Sequence, residues 1–300
     1  VADDALMAVF GAVTVHALCC NRHLGRALPA NSVCAVPVHL VDFDAVERHS
    51  MLDVEPPRHT RLRGLVLRAF TSRRIKALAP DIQDICTDLT QRFPDGPFDL
   101  IPAYCTALPV RIIARLLGVP DEMWRELLVW SNAMVAMYQA ARTKQTEVAA
   151  NTAAAEFTAF LSSYIEKRRS DPRDDLITHL IAAQEDGDRL SPDEMIGTCI
   201  LLLNAGHEAT VHTLGNGVKT VLENNTTHSA LMAPEIANTI EEVLRFDPPL
   251  HMFTRYAYAD TNVGGYPLKA GQQVALMLGS AGRDPARFDR PDVFDPTRTA

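Results

Sequence analysis

Apolar residues recur at intervals of three and four along most of the chain, the spacing that one buried helical face requires. The pattern predicts helices over 58–70, 79–92, 109–117, 121–141, 148–169, 176–184, 192–223 and 233–245. Strand signals are few and late. Residues 256–263, a Gly264-Gly265 turn and 266–268 read as a hairpin, with a further short strand over 273–278. From Arg283 onward Asp, Pro and Phe dominate, which predicts a turn-rich segment. The early apolar stretch 5–20 reads as a buried helix. It has Asp3 and Asp4 in front of it and no Lys or Arg, so it does not read as a secretory signal, and it is short for a membrane span.

The helix from Ser191 has three agreeing start cues. Ser191 can cap it, Pro192 takes the first helical position and Glu194 can reach back as the acid of a capping box. No proline follows until Pro234, so the helix can run for about 30 residues, roughly 45 Å at 1.5 Å per residue. The expectation is one mainly α domain over 1–300 with a small β region.

Composition narrows the function. With 300 residues, 47% hydrophobic and 22% charged, the chain has a globular balance. Its 29 basic and 37 acidic residues give a net charge of -8, which disfavours nucleic acid as a partner. Six cysteines, Cys19, Cys20, Cys34, Cys86, Cys105 and Cys199, form no CxxC pair, so neither a zinc cage nor a disulfide framework is expected, and a cytoplasmic location is. GxSxG, the Walker loop, GxGxxG and HExxH are all absent.

Four segments carry residues unusual for their setting. In Glu55-Pro56-Pro57-Arg58-His59-Thr60-Arg61-Leu62-Arg63, His59 and Arg63 share one helix face, as donors for an anionic group or as a solvated basic face. In Asn204-Ala205-Gly206-His207-Glu208-Ala209-Thr210, small residues and an acid interrupt an apolar helix centre. That marks either a groove where something lies against the backbone or a helix–helix crossing with a polar spot. Glu242 and Arg245 stand at i and i+3, as a surface pair or a buried clamp. Arg255 enters the first predicted strand and by itself says nothing.

Together and in this order, these segments resemble the bacterial haem-thiolate monooxygenases, the cytochrome P450 family. The stretches that carry the resemblance are MLDVEPPRHTRLRGLVLRAFTSRRI, LPVRIIARLLGVPDE, DPRDDLITHLIAAQEDGDRLSPDE, LLLNAGHEAT, EEVLRFDPP and AGRDPARFDRPDVFDPTR. Residues 1–50 match poorly, apart from NRHLGRALP. The resemblance implies a P450 fold, incomplete at the C-terminus and at the N-terminus. It implies haem b (iron protoporphyrin IX), with His59 and Arg63 on one propionate and Arg255 on the other. Ala205 and Gly206 would let the long helix pass over the haem face. Glu208 matches the acid of the family's proton-relaying acid–alcohol pair, and Glu242 with Arg245 its structural clamp. The implied partners are a hydrophobic small-molecule substrate and a ferredoxin with its reductase, or a flavin reductase, drawing on NAD(P)H. No membrane partner is implied.

Two departures stand out. The alcohol of the pair normally follows the acid directly, but that position is Ala209. Thr210 comes one residue later, turned about 100° around the helix. The family's iron ligand is a cysteine in a Phe-Gly-rich loop after the Phe-Asp-Pro segment, and no cysteine here lies in such a context. The chain is therefore read as a fragment, inactive as given because thiolate ligation drives O–O cleavage in this class. The competing reading is a haem-free relative that stabilises another enzyme.

Overall fold

The computed structural model describes residues 6–29, 35–139, 141–183 and 188–298. Its elements in chain order are β1 (Met7–Val9), α1 (Ala12–Cys19), β2 (Leu24–Gly25), α2 (Val41–Glu47), α3 (Arg58–Ala69), α4 (Ser72–Ala77), α5 (Ala79–Thr90), α6 (Ala107–Leu117), α7 (Trp124–Val135), α8 (Lys144–Ser170), α9 (Leu176–Ala182), α10 (Pro192–Glu223), α11 (Ile236–Phe246), β3 (Met252–Ala257), β4 (Thr261–Val263), β5 (Tyr266–Leu268), β6 (Gln273–Met277) and α12 (Leu278–Ala281). The mainly α architecture with a small β region is as the periodicity predicts. The residues group into two compact units, 34–208 and a second made of 1–33 with 209–300, and α10 runs through the division.

The 34–208 unit is helical. Its core gathers Leu62, Leu65 and Val66 of α3, Val110 and Leu117 of α6, Phe157 and Leu161 of α8, Ile177 of α9, and Ile200 and Leu203 of α10. The start of α10 is built as its sequence prescribes: the Ser191 hydroxyl accepts from the Glu194 amide at 3.2 Å, and the Glu194 carboxylate accepts from the Ser191 amide at 3.0 Å. α8 begins four residues before the predicted start. Thr143 caps it and Thr146 returns the bond, a reciprocal pair without the usual Glu or Gln. The predicted helix over 121–141 breaks into α7 flanked by two 3₁₀ turns, and its residue Ala140 lies outside the described residues, as does Gln184 of the 176–184 prediction.

One group fixes three helix ends of this unit. Gly118 closes α6 in the left-handed conformation at φ 82°, and a Cβ there would fall 2.2 Å from Asp175 Oδ2. The Gly118 carbonyl accepts from Tyr164 Oη and from Arg168 Nη2 at 3.0 Å. Arg168 Nε donates to Asp175 Oδ2 at 2.5 Å, and Asp175 Oδ1 caps α9 by accepting from the Thr178 amide at 2.8 Å.

The other unit holds the sheet, in the order β1-β6-β3-β2, with β1 parallel to β6 and the other pairs antiparallel. The prediction for 5–20 is corrected here. Met7–Val9 is a strand and only Ala12–Cys19 is a helix, with only Val15 and Leu18 of that helix buried. The break falls at Gly11, at φ 89°, where the chain turns and Asp284 Oδ2 accepts from the Ala12 amide at 2.8 Å. The predicted strand 256–263 is likewise two strands, because β3 ends at Ala257 and β4 begins at Thr261. The hairpin turn is where it was placed, at Gly264 and Gly265, both at positive φ.

Candidate functional site

In the 34–208 unit, α3 turns Leu62, Leu65, Val66 and Ala69 into the core. His59 is half-buried and Arg63 exposed, one turn apart on the same helix face. Arg61, between them in sequence and equally basic, is committed elsewhere. It pairs with Glu194, the capping acid of α10, and with Asp188 at 3.2 Å. Its ion pair bridges 133 residues, so no local signal separates it from its neighbours.

α10 stays helical through the whole Asn204–Thr210 segment. Residues 194–200 are buried, as are Leu203, Asn204 and His207, whereas Ala205 is exposed and Gly206 and Glu208 are half-buried. The helix therefore shows an open strip where small residues stand. Gly206 also has a packing reason: a Cβ there would meet Ile113 Cδ1 of α6 at 2.8 Å. The helix-crossing explanation and the open-groove explanation thus fall on adjacent residues, Gly206 and Ala205. A second close approach was not read from the sequence. At Gly197 a Cβ would lie 3.1 Å from the His49 backbone.

In the sheet-bearing unit, Thr210 is exposed and Ala209 half-buried, and the Ala209 carbonyl accepts from Thr213 Oγ1 at 2.8 Å. Glu242 and Arg245 form a buried bidentate pair, with Nε to Oε2 and Nη2 to Oε1 both at 2.7 Å. Arg245 also donates to the carbonyls of Gly282 at 2.7 Å, Pro291 at 2.8 Å and Val293 at 3.1 Å. Glu242 accepts from the Asp295 amide at 2.8 Å, and Arg298 lies 3.2 Å from it. Burial alone would raise the Glu242 carboxyl; Arg245, the Asp295 amide and Arg298 outweigh it and hold the group below its ordinary value. Arg255 sits in β3 opposite Val274 of β6, half-buried, with Nη1 donating to the Thr254 carbonyl at 2.8 Å.

On α3 the His59 imidazole and the Arg63 guanidinium, and separately on β3 the Arg255 guanidinium, are donors suited in chemistry to a carboxylate such as a haem carries. Cys199 is fully enclosed and burial pushes its thiol up to about 12, so it stays protonated at neutral pH. Burial also raises the Cys105 thiol. Cys19 and Cys20 are exposed around the end of α1, Cys86 is half-buried on α5, and Cys34 lies outside the described residues. No group of three or more His, Cys, Asp or Glu among the described residues is placed to hold a metal ion, and no helix there is long and apolar enough to cross a membrane.

A family model described as cytochrome P450 matches residues 217–298. The chain is 37% identical to putative cytochrome P450 YjiB of Bacillus subtilis over 254 residues, which are 82% of this chain and 64% of the relative. It is 40% identical to cytochrome P450 107B1 of Saccharopolyspora erythraea over 83% of this chain and 60% of that one. Thus it spans less than two thirds of the length of these relatives. Among solved structures, P450BioI in complex with a hexadec-9Z-enoic acid-ligated acyl carrier protein superposes with a TM-score of 0.89 at 30% identity, over 97% of this chain and 75% of that one. Ligand-free P450 monooxygenase TamI gives 0.82 at 35% identity, over 98% and 68%.

Proposed function

The chain belongs to the cytochrome P450 family, and from that premise we propose that it serves a haem-dependent monooxygenase placing one oxygen atom of O2 into a hydrophobic small molecule. Relatives named vitamin D(3) 25-hydroxylase and 6-deoxyerythronolide B hydroxylase support this class of reaction. The observation that carries it is the exposed Ala205 in the middle of α10, between buried Asn204 and buried His207 and beside half-buried Gly206 and Glu208. Haem, when bound, supplies the redox-active iron. His59 and Arg63 would hold one carboxylate of the haem and Arg255 the other. Ala205 keeps the helix backbone accessible to a flat group. Glu208 would relay protons through Thr210, a water or a substrate hydroxyl, since the residue next to it is Ala209. Electrons come from a ferredoxin-type or flavin partner drawing on NAD(P)H. The exposed Arg68, Arg73 and Lys76 beside exposed Leu67 and Ile75 on α3 and α4 suit an acidic donor despite the net negative charge of the chain.

Haemin titration of the chain, followed by its visible absorption, tests this reading. Saturable binding is expected, weakened by about 1.5–3 kcal/mol for each of Arg63→Ala and Arg255→Ala as charged hydrogen bonds are lost. Binding indifferent to both substitutions would favour the haem-free scaffold. After reduction and addition of carbon monoxide the chain should lack the absorption band that names the family, because none of its cysteines lies in a Phe-Gly-rich loop like the one that holds the family's ligand. A second expectation concerns proton delivery. In a form that carries a thiolate ligand, Ala209→Thr restores an alcohol next to Glu208 and should raise product formed per reduced cofactor. Unchanged coupling would count against the assigned relay.

A further inference from the structure

Residues 35–49 form a strap across the start of α8, held mainly by polar groups. His39 Nε2 lies 2.7 Å from Glu147 Oε2. Asn151 Oδ1 accepts from the amides of Asp42 at 2.8 Å and Phe43 at 3.1 Å, and Asn151 Nδ2 donates to Asp42 Oδ2 at 2.9 Å. A side chain of α8 thereby caps α2, whose own capping position is Leu40, which has no polar side chain. At the other end of the strap Tyr138 Oη donates to Glu47 Oε2 at 2.9 Å. Apolar anchoring comes from buried Val46 and partly buried Phe43 and Leu40, while Val38 is 92% and Val41 57% exposed.

We propose that this strap is a proton-controlled clasp, fastened to α8 and to the Tyr138 corner in mildly acidic solution and loosened as the pH rises through neutrality. Glu47 is faced by Tyr138 beyond α7, by Asp53 from the loop that follows the strap and by Asp44 on its own helix, which Arg48 pairs. His39 is faced by Glu147 of α8, which Arg142 approaches at 3.5 Å and Lys144 attracts. Burial pushes the Glu47 carboxyl up to about 7; the Tyr138 hydroxyl draws it down, and Asp53 and Asp44 add to the rise. The sign follows from linkage. A carboxyl raised in the docked state contributes its full share of docking below its ordinary value of 4.5, and that share is lost as the pH climbs to about 7. The 2.7 Å contact of His39 with Glu147 is an ion pair only while the imidazole is protonated, and a hydrogen bond between a neutral ring and a carboxylate otherwise.

Hydrogen exchange of the full 300-residue chain at pH 6 and pH 8, corrected for intrinsic rates, tests the clasp. Protection of peptides spanning 35–49 should fall about tenfold between the two, while peptides from α5 and α6 hold theirs. Glu47→Gln, neutral at every pH and still able to accept from Tyr138, should keep most of its protection at pH 8. Tyr138→Phe removes the group that lowers the Glu47 carboxyl and should move the midpoint above that of the parent chain. Equal strap protection at the two pH values, or an undiminished pH dependence in Glu47→Gln, overturns the proposal.

Discussion

Glu242→Ala is expected to destabilise the chain by about 3–5 kcal/mol, the cost of leaving a buried charge without its partner. The side chain of Glu242 is 2% exposed and that of Arg245 8%, so water does not replace what the substitution removes. One carboxylate satisfies the Arg245 fork, the Asp295 amide and Arg298 together. Arg245 in turn holds three carbonyls between Gly282 and Val293. Residues 282–298 contain no helix or strand of their own, so this pair, with Arg283 donating to the Phe246 carbonyl at 2.8 and 3.0 Å and Phe294 against Phe246, fixes their path against α11. Urea unfolding of the variant measures the loss, and a loss below about 1 kcal/mol would mean the pair is worth no more than a surface one. The pH dependence has the opposite sign to that of Glu47. The folded-state carboxyl lies below its ordinary 4.5, so the contribution is complete above that value and disappears as the pH falls through the depressed one.

The second large effect is expected at Asp175. Asp175→Ala removes the partner of Arg168, whose side chain is 3% exposed, and it also uncaps α9. The charge part is worth about 3–5 kcal/mol and the cap about 1 kcal/mol more. Asp175→Asn separates the two, since asparagine caps a helix as well as aspartate does but carries no charge. Its unfolding midpoint should lie clearly above that of Asp175→Ala and below the parent. Should Asn and Ala lose the same amount, the cap contributes nothing, and the account of how α9 begins would be wrong.

Much of the fold was legible from spacing. The Ser191–Glu194 box starts α10 at Pro192, and its C-terminal end at Glu223 also falls where the pattern placed it. The Gly264-Gly265 turn likewise forms where predicted, since only glycine takes both positive φ values without strain. The ends of α8 and α11 were less legible: Thr146 is an unusual capping partner, and Ala233 to Glu235 lie in a turn outside the helix. At the candidate site, sequence order alone brought His59, Arg63, Ala205, Gly206, Glu208, Thr210, Glu242, Arg245 and Arg255 forward through a family resemblance. It did not show that Arg61 is taken by Glu194, that Gly206 faces Ile113, or that Glu47 accepts a hydrogen bond from Tyr138.

What the sequence determined by itself is whatever depends on neighbours within a few positions: helical faces, capping boxes, the tight turn and the order of family segments. Their hydrogen bonds close between residues three or four apart, so the spacing records them. Tertiary structure alone decided where partners come from far along the chain. β1 is a strand because β6 pairs with it from some 265 positions away, and α1 begins at Ala12 because Asp284 caps it. The Glu242–Arg245 pair is a clamp rather than a surface contact because carbonyls from 282–293 close over it. A charged side chain looks the same in the sequence whether water or a distant carbonyl receives it, and only the folded chain removes the water.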